Sequence, residues 1–468
     1  MKGIVAYGTY IPYYRLDRRA ISEALGGAPG RGTRSVASYD EDTTSMGVEA
    51  ARAALSAPTA PAPESIYFAT AAPAYLDKTN ATAIHAALGL DPSVFAVDMG
   101  GSVRSGAGVL QAAIDAGRPT LAIMSDIRVG LPGSGDETNG GDAAAAFLCA
   151  EGDEVIAEYL GGANMTAEFL DRWRTPGESA SRVWEERFGE FVYVPLGAQA
   201  WKKALDSTDT TLEEIDHLIV TGVHPRAARA VVAGAGVRKE AIVDEMAATL
   251  GNTGTALAGI MVADVLDRAK PDQVIAVLLL ADGASVMLFR TTEAITRYQR
   301  RQTVAGQLAG GKAVGYNAYL TWRDILRREP PRRPDPDRPA APPSFRSEPW
   351  KYGLAGSRCQ NCGTRHLPPQ RVCLKCQSVD KMSSERVAET EATIATFTID
   401  RLAFSPSPPL VAAVVDFDGG GRFPCEMTDV DPDSVKIGQR VEMTFRRLYT
   451  AESVHNYFWK ARPIRRDS

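Results

Sequence analysis

Residues 251–289, GNTGTALAGIMVADVLDRAKPDQVIAVLLLADGASVMLF, decide the architecture. Gly251-Asn-Thr-Gly-Thr255 opens an Ala-rich helix through Arg268. Gln273-Val-Ile-Ala-Val-Leu-Leu-Leu280 is then an apolar run of strand length, and Asp282-Gly-Ala-Ser-Val-Met-Leu-Phe289 turns into a second strand of small and apolar residues. The same order stands about 145 residues earlier. There Ser105-Gly-Ala-Gly opens a helix through Ala116, followed by Thr120-Leu-Ala-Ile-Met-Ser125 and Gly141-Asp-Ala-Ala-Ala-Ala-Phe147. An internal duplication of one α/β unit is the simplest explanation. From residue 1 to about 290, short β-branched runs alternate with Ala-rich helical stretches, the pattern of a layered α/β fold.

Outward from this unit, Tyr316 to Arg328 reads as a closing helix. In Glu329 to Pro343 (EPPRRPDPDRPAAPP), seven of fifteen residues are proline. Proline removes backbone donors and fixes φ, so this stretch is expected to be an extended, stiff linker without helix or central strand. Beyond it, strand-like runs at Thr393–Ile399, Leu410–Phe417, Arg440–Arg446 and Asn456–Lys460 are separated by Asp418-Gly-Gly-Gly421 and Lys436-Ile-Gly438. A small β-barrel follows from this pattern. The expected divisions are two α/β halves at 1–160 and 161–328, a linker at 329–348, a metal ribbon at 349–384 and the barrel at 385–468.

The 468 residues carry a formal net charge of -5, with 44% hydrophobic and 23% charged residues. That composition is globular, and it leaves no basic excess for a nucleic-acid backbone. The longest apolar run, Val274 to Ala281, is far below the roughly 20 residues of a membrane helix. Met1-Lys-Gly-Ile-Val-Ala-Tyr7 reads as a strand rather than a signal segment, so a soluble cytoplasmic protein is expected.

Of six cysteines, four form Cys359-Gln-Asn-Cys362 and Cys373-Leu-Lys-Cys376, ten residues apart. Two such knuckles close four thiolates tetrahedrally on one metal, and Gly363 suits the turn in which amides point at sulfur. The reading is a zinc ribbon, although the ligands alone also suit a rubredoxin-type iron. With four protein ligands no position stays open for substrate, so the metal is structural.

A ribbon followed directly by a barrel resembles the acyl-CoA-associated proteins that pair a rubredoxin-like ribbon with an OB-fold. The words that carry this are Trp350-Lys-Tyr-Gly353, the insert His366-Leu-Pro-Pro-Gln-Arg-Val372 and Arg446-Arg-Leu-Tyr449. The first 290 residues resemble archaeal-type hydroxymethylglutaryl-CoA synthases and, more distantly, β-ketoacyl synthase III. Here the carriers are Gly3-Ile-Val-Ala-Tyr-Gly-Thr-Tyr-Ile-Pro12, Tyr39-Asp-Glu-Asp-Thr43, His224-Pro225 and Gly251-Asn252-Thr-Gly254. The resemblance implies a duplicated thiolase-like five-layer α/β fold, a coenzyme A thioester as substrate and a homodimer. It also implies work beside a separate thiolase or hydratase.

The same alignment puts Val103, in Val97-Asp98-Met-Gly-Gly-Ser-Val103, where the family has its nucleophilic cysteine. Ala71, in Thr70-Ala-Ala-Pro-Ala-Tyr75, falls where the family has its acid/base glutamate. Valine cannot ionise, so an acyl-enzyme is not expected. His224 and Asn252 are retained and suit hydrogen-bond donation to a thioester carbonyl, unless the histidine is satisfied within the fold. Tyr75 and Asp98 flank the vacated pocket as acid/base candidates. His217 reads as structural, and His85, His366 and His455 have no constellation around them. The expected functions are aldol-type chemistry on an acyl-CoA through an enolate, non-catalytic acyl-CoA binding as a scaffold, or an acyl-transferring synthase.

Overall fold

The computed structural model describes residues 1–334 and 336–466; Asp335 of the expected linker and residues 467–468 of the expected barrel span lie outside the described residues. A nine-stranded sheet runs in the order Ile215–Gly222, Val274–Leu280, Gly283–Thr291, Ala157–Thr166, Lys2–Tyr10, Asp142–Glu151, Thr120–Ile127, Ser65–Ala69, Phe95–Asp98. The duplication is visible in its pairing. Thr120–Ile127 lies parallel to Ser65–Ala69 and antiparallel to Asp142–Glu151, as Val274–Leu280 lies parallel to Ile215–Gly222 and antiparallel to Gly283–Thr291. The strand Ala157–Thr166, which crosses the expected division at 160/161, pairs with Lys2–Tyr10 at Gly3↔Glu158 and Ile4↔Ala157 and joins the halves there. A Cβ on Gly3 would stand 2.1 Å from the Ala157 carbonyl oxygen, so this seam admits glycine alone.

Val274–Leu280 is buried at every position, which explains its unbroken apolar run. The duplicated helices, Ser105–Asp115 and Leu257–Arg268, pack against each other behind the strands. Thr43–Leu55 covers Lys2–Tyr10 and Asp142–Glu151. Its start is a capping box: Asp42 accepts from the Ser45 backbone N–H at 2.8 Å, and Ser45 Oγ accepts from the Asp42 N–H at 2.9 Å.

Tyr316–Trp322 forms a helix that stops short of the expected Arg328, because Asp324 takes a left-handed φ of 57°. The linker also departs from expectation. Ala341–Arg346 and Glu348–Lys351 are short helices, and each carries proline in its first turn, where the missing N–H is not needed. A three-stranded ribbon follows (Arg365–His366, Ala355–Cys359, Met382–Arg386), with its last strand crossing the expected division at 384/385. The barrel sheet runs Arg422–Glu426, Leu410–Phe417, Ala392–Asp400, Arg440–Ala451, Val454–Pro463. No helix among the described residues is long and apolar enough to cross a membrane.

The barrel is not a loose appendage. Arg440–Ala451 packs on Thr43–Leu55, and a set of buried charges closes the boundary. Lys460 Nζ lies 3.0 Å from Asp40 and 2.8 Å from Glu426, while Arg462 lies 2.8 Å from both Glu49 and Glu442. Arg446 pairs with Glu41 and, at 2.5 Å, with Asp429. Tyr457 donates to Asp42 at 2.6 Å. Tyr39–Thr43 and Arg446–Tyr449, the words carrying the two separate resemblances, therefore lie on facing sides of one interface.

Candidate functional site

The cysteine cluster is the simpler of two sites. The four Sγ atoms of Cys359, Cys362, Cys373 and Cys376 all lie within 4.8 Å of one another, with Cys359···Cys376 at 3.6 Å and Cys362···Cys373 at 3.5 Å. Tetrahedral zinc with Zn–S bonds of about 2.3 Å separates its sulfurs by about 3.8 Å, so these residues fit the ion. Gly363 has φ 73°, and its N–H donates to the Cys359 carbonyl at 2.8 Å, closing the first knuckle.

The second site is a cavity of about 680 Å³ at the mouth of the helix Ser105–Asp115. Thr70–Pro73 and Gly100–Val103 form its floor. Val103 is buried and packs with Leu279 and Ala281 of the second half. Ala71 also lines the cavity, its N–H donating to Asp126 Oδ1 at 2.7 Å. Asp126 also accepts from Thr70 Oγ1 at 3.1 Å and from the Thr255 N–H at 2.8 Å, so one buried carboxylate ties both halves beneath the cavity. Burial pushes its pKa up, against these donors and Arg128. A ribbon through Arg172, Trp173 and Arg174 roofs the site; Arg128, Arg172 and Arg174 face it together with Asp98, Glu178 and Asp282. Among the described residues lining it there is no cysteine.

The expected site residues divide. Tyr75 and Asp98 line the cavity. Asp98 accepts from the Asn80 N–H at 2.7 Å, Asn80 Nδ2 at 2.9 Å and the Ala81 N–H at 2.8 Å, so it fastens the start of the helix Ala81–Leu88. The Tyr75 hydroxyl accepts from the His455 N–H at 2.8 Å, and the two rings lie 4.7 Å apart. His455, which had no constellation in the sequence, thus reaches the rim from the barrel.

His224 and Asn252 are placed elsewhere. His224 Nδ1 accepts from the Ala227 N–H at 3.1 Å, capping the helix Pro225–Gly234, and Nε2 donates to the Glu186 carbonyl at 2.8 Å. Asn252 Nδ2 donates to the Gly222 carbonyl at 2.7 Å, and its Oδ1 accepts from the Gly254 N–H at 3.0 Å. Neither lines the cavity. Both side chains of the expected thioester-donor pair are thus engaged with backbone groups. Sequence reasoning also missed Asp126; its signal was a lone carboxylate inside the apolar run Thr120–Ile127.

The fold and these sites define a thiolase-type α/β protein carrying a zinc ribbon and an OB-fold. Residues 351–382 match the family described as "ChsH2, rubredoxin-like zinc ribbon domain", and residues 385–446 match "ChsH2, C-terminal OB-fold domain". The hydroxymethylglutaryl-CoA synthase of Thermoplasma volcanium is 29% identical over 347 residues, 69% of this chain and 97% of the relative. That of Pyrococcus horikoshii is 29% identical over 293 residues, 60% and 83% of the two chains. Among solved structures, an HMG-CoA synthase complexed with CoA superposes with a TM-score of 0.60 at 17% identity, covering 68% of this chain and 89% of that one. The 3-oxoacyl-[acyl-carrier-protein] synthase III of Aquifex aeolicus gives 0.55 at 20% identity, covering 62% and 100%. The chain is a hydroxymethylglutaryl-CoA synthase-like thiolase fold fused to a C-terminal ribbon and OB module.

Proposed function

We propose that this protein binds a coenzyme A thioester in the cavity between Ala71 and Val103 and acts on a carbon–carbon bond of its acyl group without an acyl-cysteine. The observation that carries this is the lining itself, with Val103 on the mouth of the helix Ser105–Asp115 and no thiol among the described lining residues. Chemistry that fits needs an enolate rather than a covalent carrier. In retro-aldol cleavage of a 3-hydroxyacyl-CoA, the hydroxyl gives its proton to a base and the Cα–Cβ bond breaks. The electron pair enters the thioester enolate, which is then protonated at Cα, releasing a carbonyl compound and a shorter acyl-CoA. Tyr75 is the proposed proton donor, because its oxygen accepts from His455 while its own proton has no acceptor among the described residues. Asp98, which accepts three hydrogen bonds from Asn80 and Ala81, is the second candidate acid/base group.

The second reading is a non-catalytic acyl-CoA-binding or scaffold partner of a separate thiolase or hydratase. The attachment of His224 and Asn252 to backbone groups favours it. One experiment separates the two. Acetyl-, acetoacetyl- and 3-hydroxyacyl-CoA esters are incubated with the zinc-loaded chain and with Tyr75→Phe, and CoA species are followed by mass spectrometry. Turnover that falls at least tenfold in Tyr75→Phe supports the enzyme. Binding without turnover supports the carrier, and no binding of any ester refutes both.

A further inference from the structure

The largest cavity described, about 1000 Å³, lies where the helix Ala81–Leu88, the linker helix Ala341–Arg346 and the barrel strand Val454–Pro463 meet. Its walls are mostly apolar and aromatic, with Tyr352, Tyr457, Phe345, Ala83 and Ala86 among them. Two ammonium groups stand in these walls. Lys78 Nζ reaches the Thr79 carbonyl and Thr82 Oγ1, each at 3.1 Å, and Lys351 Nζ reaches Ser344 Oγ at 3.4 Å.

Among the described residues neither lysine has a carboxylate within 4.0 Å, whereas the cations of the nearby seam, Arg446, Lys460 and Arg462, are each paired twice. Arg338, also in the lining, is paired with Glu452 at 3.2 Å, and the lining acid Glu348 is bound to neither lysine. Partial loss of hydration lowers the pKa of both lysines. Lys78 has the Asp98 carboxylate near it but beyond 4.0 Å, and a cation at an apolar wall with no paired carboxylate gains from an anion delivered there. Tyr75 and Asn80 line both this cavity and the one beside Val103, so the loop they span is a common wall.

We propose that the interdomain cavity receives an anionic end of the coenzyme A thioester, its apolar or aromatic body against Tyr352 and Tyr457 and its negative charge met by Lys78 and Lys351. This rests on the thioester reading above. Two parts of such a ligand share that chemistry: the phosphorylated adenosine of coenzyme A, and a terminal carboxylate on the acyl group.

Isothermal titration of the zinc-loaded full chain with CoA, butyryl-CoA and glutaryl-CoA tests it, beside the double variant Lys78→Met/Lys351→Met and Ala83→Phe, which fills the cavity and keeps both charges. Circular dichroism and zinc content confirm that each variant folds. The expected result is affinity lower by about tenfold or more in the double variant and in Ala83→Phe. Loss with all three ligands assigns the cavity to the nucleotide; loss with glutaryl-CoA alone assigns it to the carboxylate. Wild-type binding that stays within twofold in both variants overturns the inference and leaves the thioester reading standing. If the wild-type chain binds none of the three ligands, that reading fails and takes this inference with it.

Discussion

Arg446 and Glu41 form an ion pair between the OB-fold and the first α/β half, with 1% and 0% of their side chains exposed. Asp429 shares the guanidinium, and Arg446 Nη2 donates to the Tyr10 hydroxyl at 2.9 Å. A buried pair of this kind holds two domains in register because neither partner tolerates losing the other.

Arg446→Met is therefore expected to destabilise the chain by about 3–5 kcal/mol, since Glu41 would be left as a buried carboxylate without a cation and Asp429 with Arg465 alone. Arg422→Met, which removes an exposed pair with Asp416, is expected to cost less than about 1 kcal/mol. Denaturant midpoints of the two variants make the comparison; equal losses would contradict the seam.

Acid should open the same boundary. Burial pushes Asp40 upward, yet Lys460 and Arg446 hold it at about 2; burial likewise acts on Glu49, which Arg52 and Arg462 hold at about 2. Both carboxylates are depressed in the fold, so their contribution is complete above the unfolded value of about 4 and is lost as pH falls towards 2. Glu41 is raised, chiefly by burial, and acts with the opposite sign. The net expectation is loss of barrel docking between about pH 4 and 2, read from the fluorescence of buried Trp459. Asp40→Asn should make that transition shallower.

His224→Ala is expected to cost about 1–2 kcal/mol, because it removes the cap on Pro225–Gly234 and the bond to Glu186. His224→Asn keeps a capping oxygen and should recover most of the loss. Turnover that vanishes in both variants while thermal stability holds would instead give this imidazole a chemical role.

A thiol placed at Val103 tests the vacated position. Val103→Cys puts a thiol just before Ser105–Asp115 at a buried position that lines the cavity and packs on Leu279 and Ala281; labelling by iodoacetamide is expected there only through the cavity, and is expected to fall when a CoA ester occupies it. The zinc-loaded wild-type chain should resist, because burial raises Cys149 and Cys425 to about 12. Peptide mass spectrometry locates the label.

Cys373→Ser should abolish zinc binding, measured as metal per chain, while Cys149→Ser leaves it unchanged.

Much of the architecture was readable in the chain because it is written locally. The Cys-x2-Cys spacing is a contact between near neighbours, and the duplicated turns and strands repeat within short windows. Arg422–Glu426 escaped notice because Pro424 and Cys425 break its alternation, although its pairing with Leu410–Phe417 secures it as an edge strand. The site was less legible for a different reason. His224 and Asn252 looked like free donors, and what occupies them, the Glu186 and Gly222 carbonyls, lies 38 and 30 residues away. Tyr75 meets His455 across 380 residues, a pairing that no window of sequence displays.

The docking of the barrel on Thr43–Leu55 also orders the life of the chain. Asp42 precedes Tyr457 by 415 residues and Glu49 precedes Arg462 by 413, so during synthesis the acids emerge long before the groups that meet them. Until then Glu49 has Arg52 of its own helix, while Asp40 and Glu41 wait for Lys460 and Arg446, and the helix that follows them stays unsealed. A chain cut ahead of Val454–Pro463 bears Asp40 without Lys460 and Glu49 without Arg462, so the seam closes only once that strand has been made.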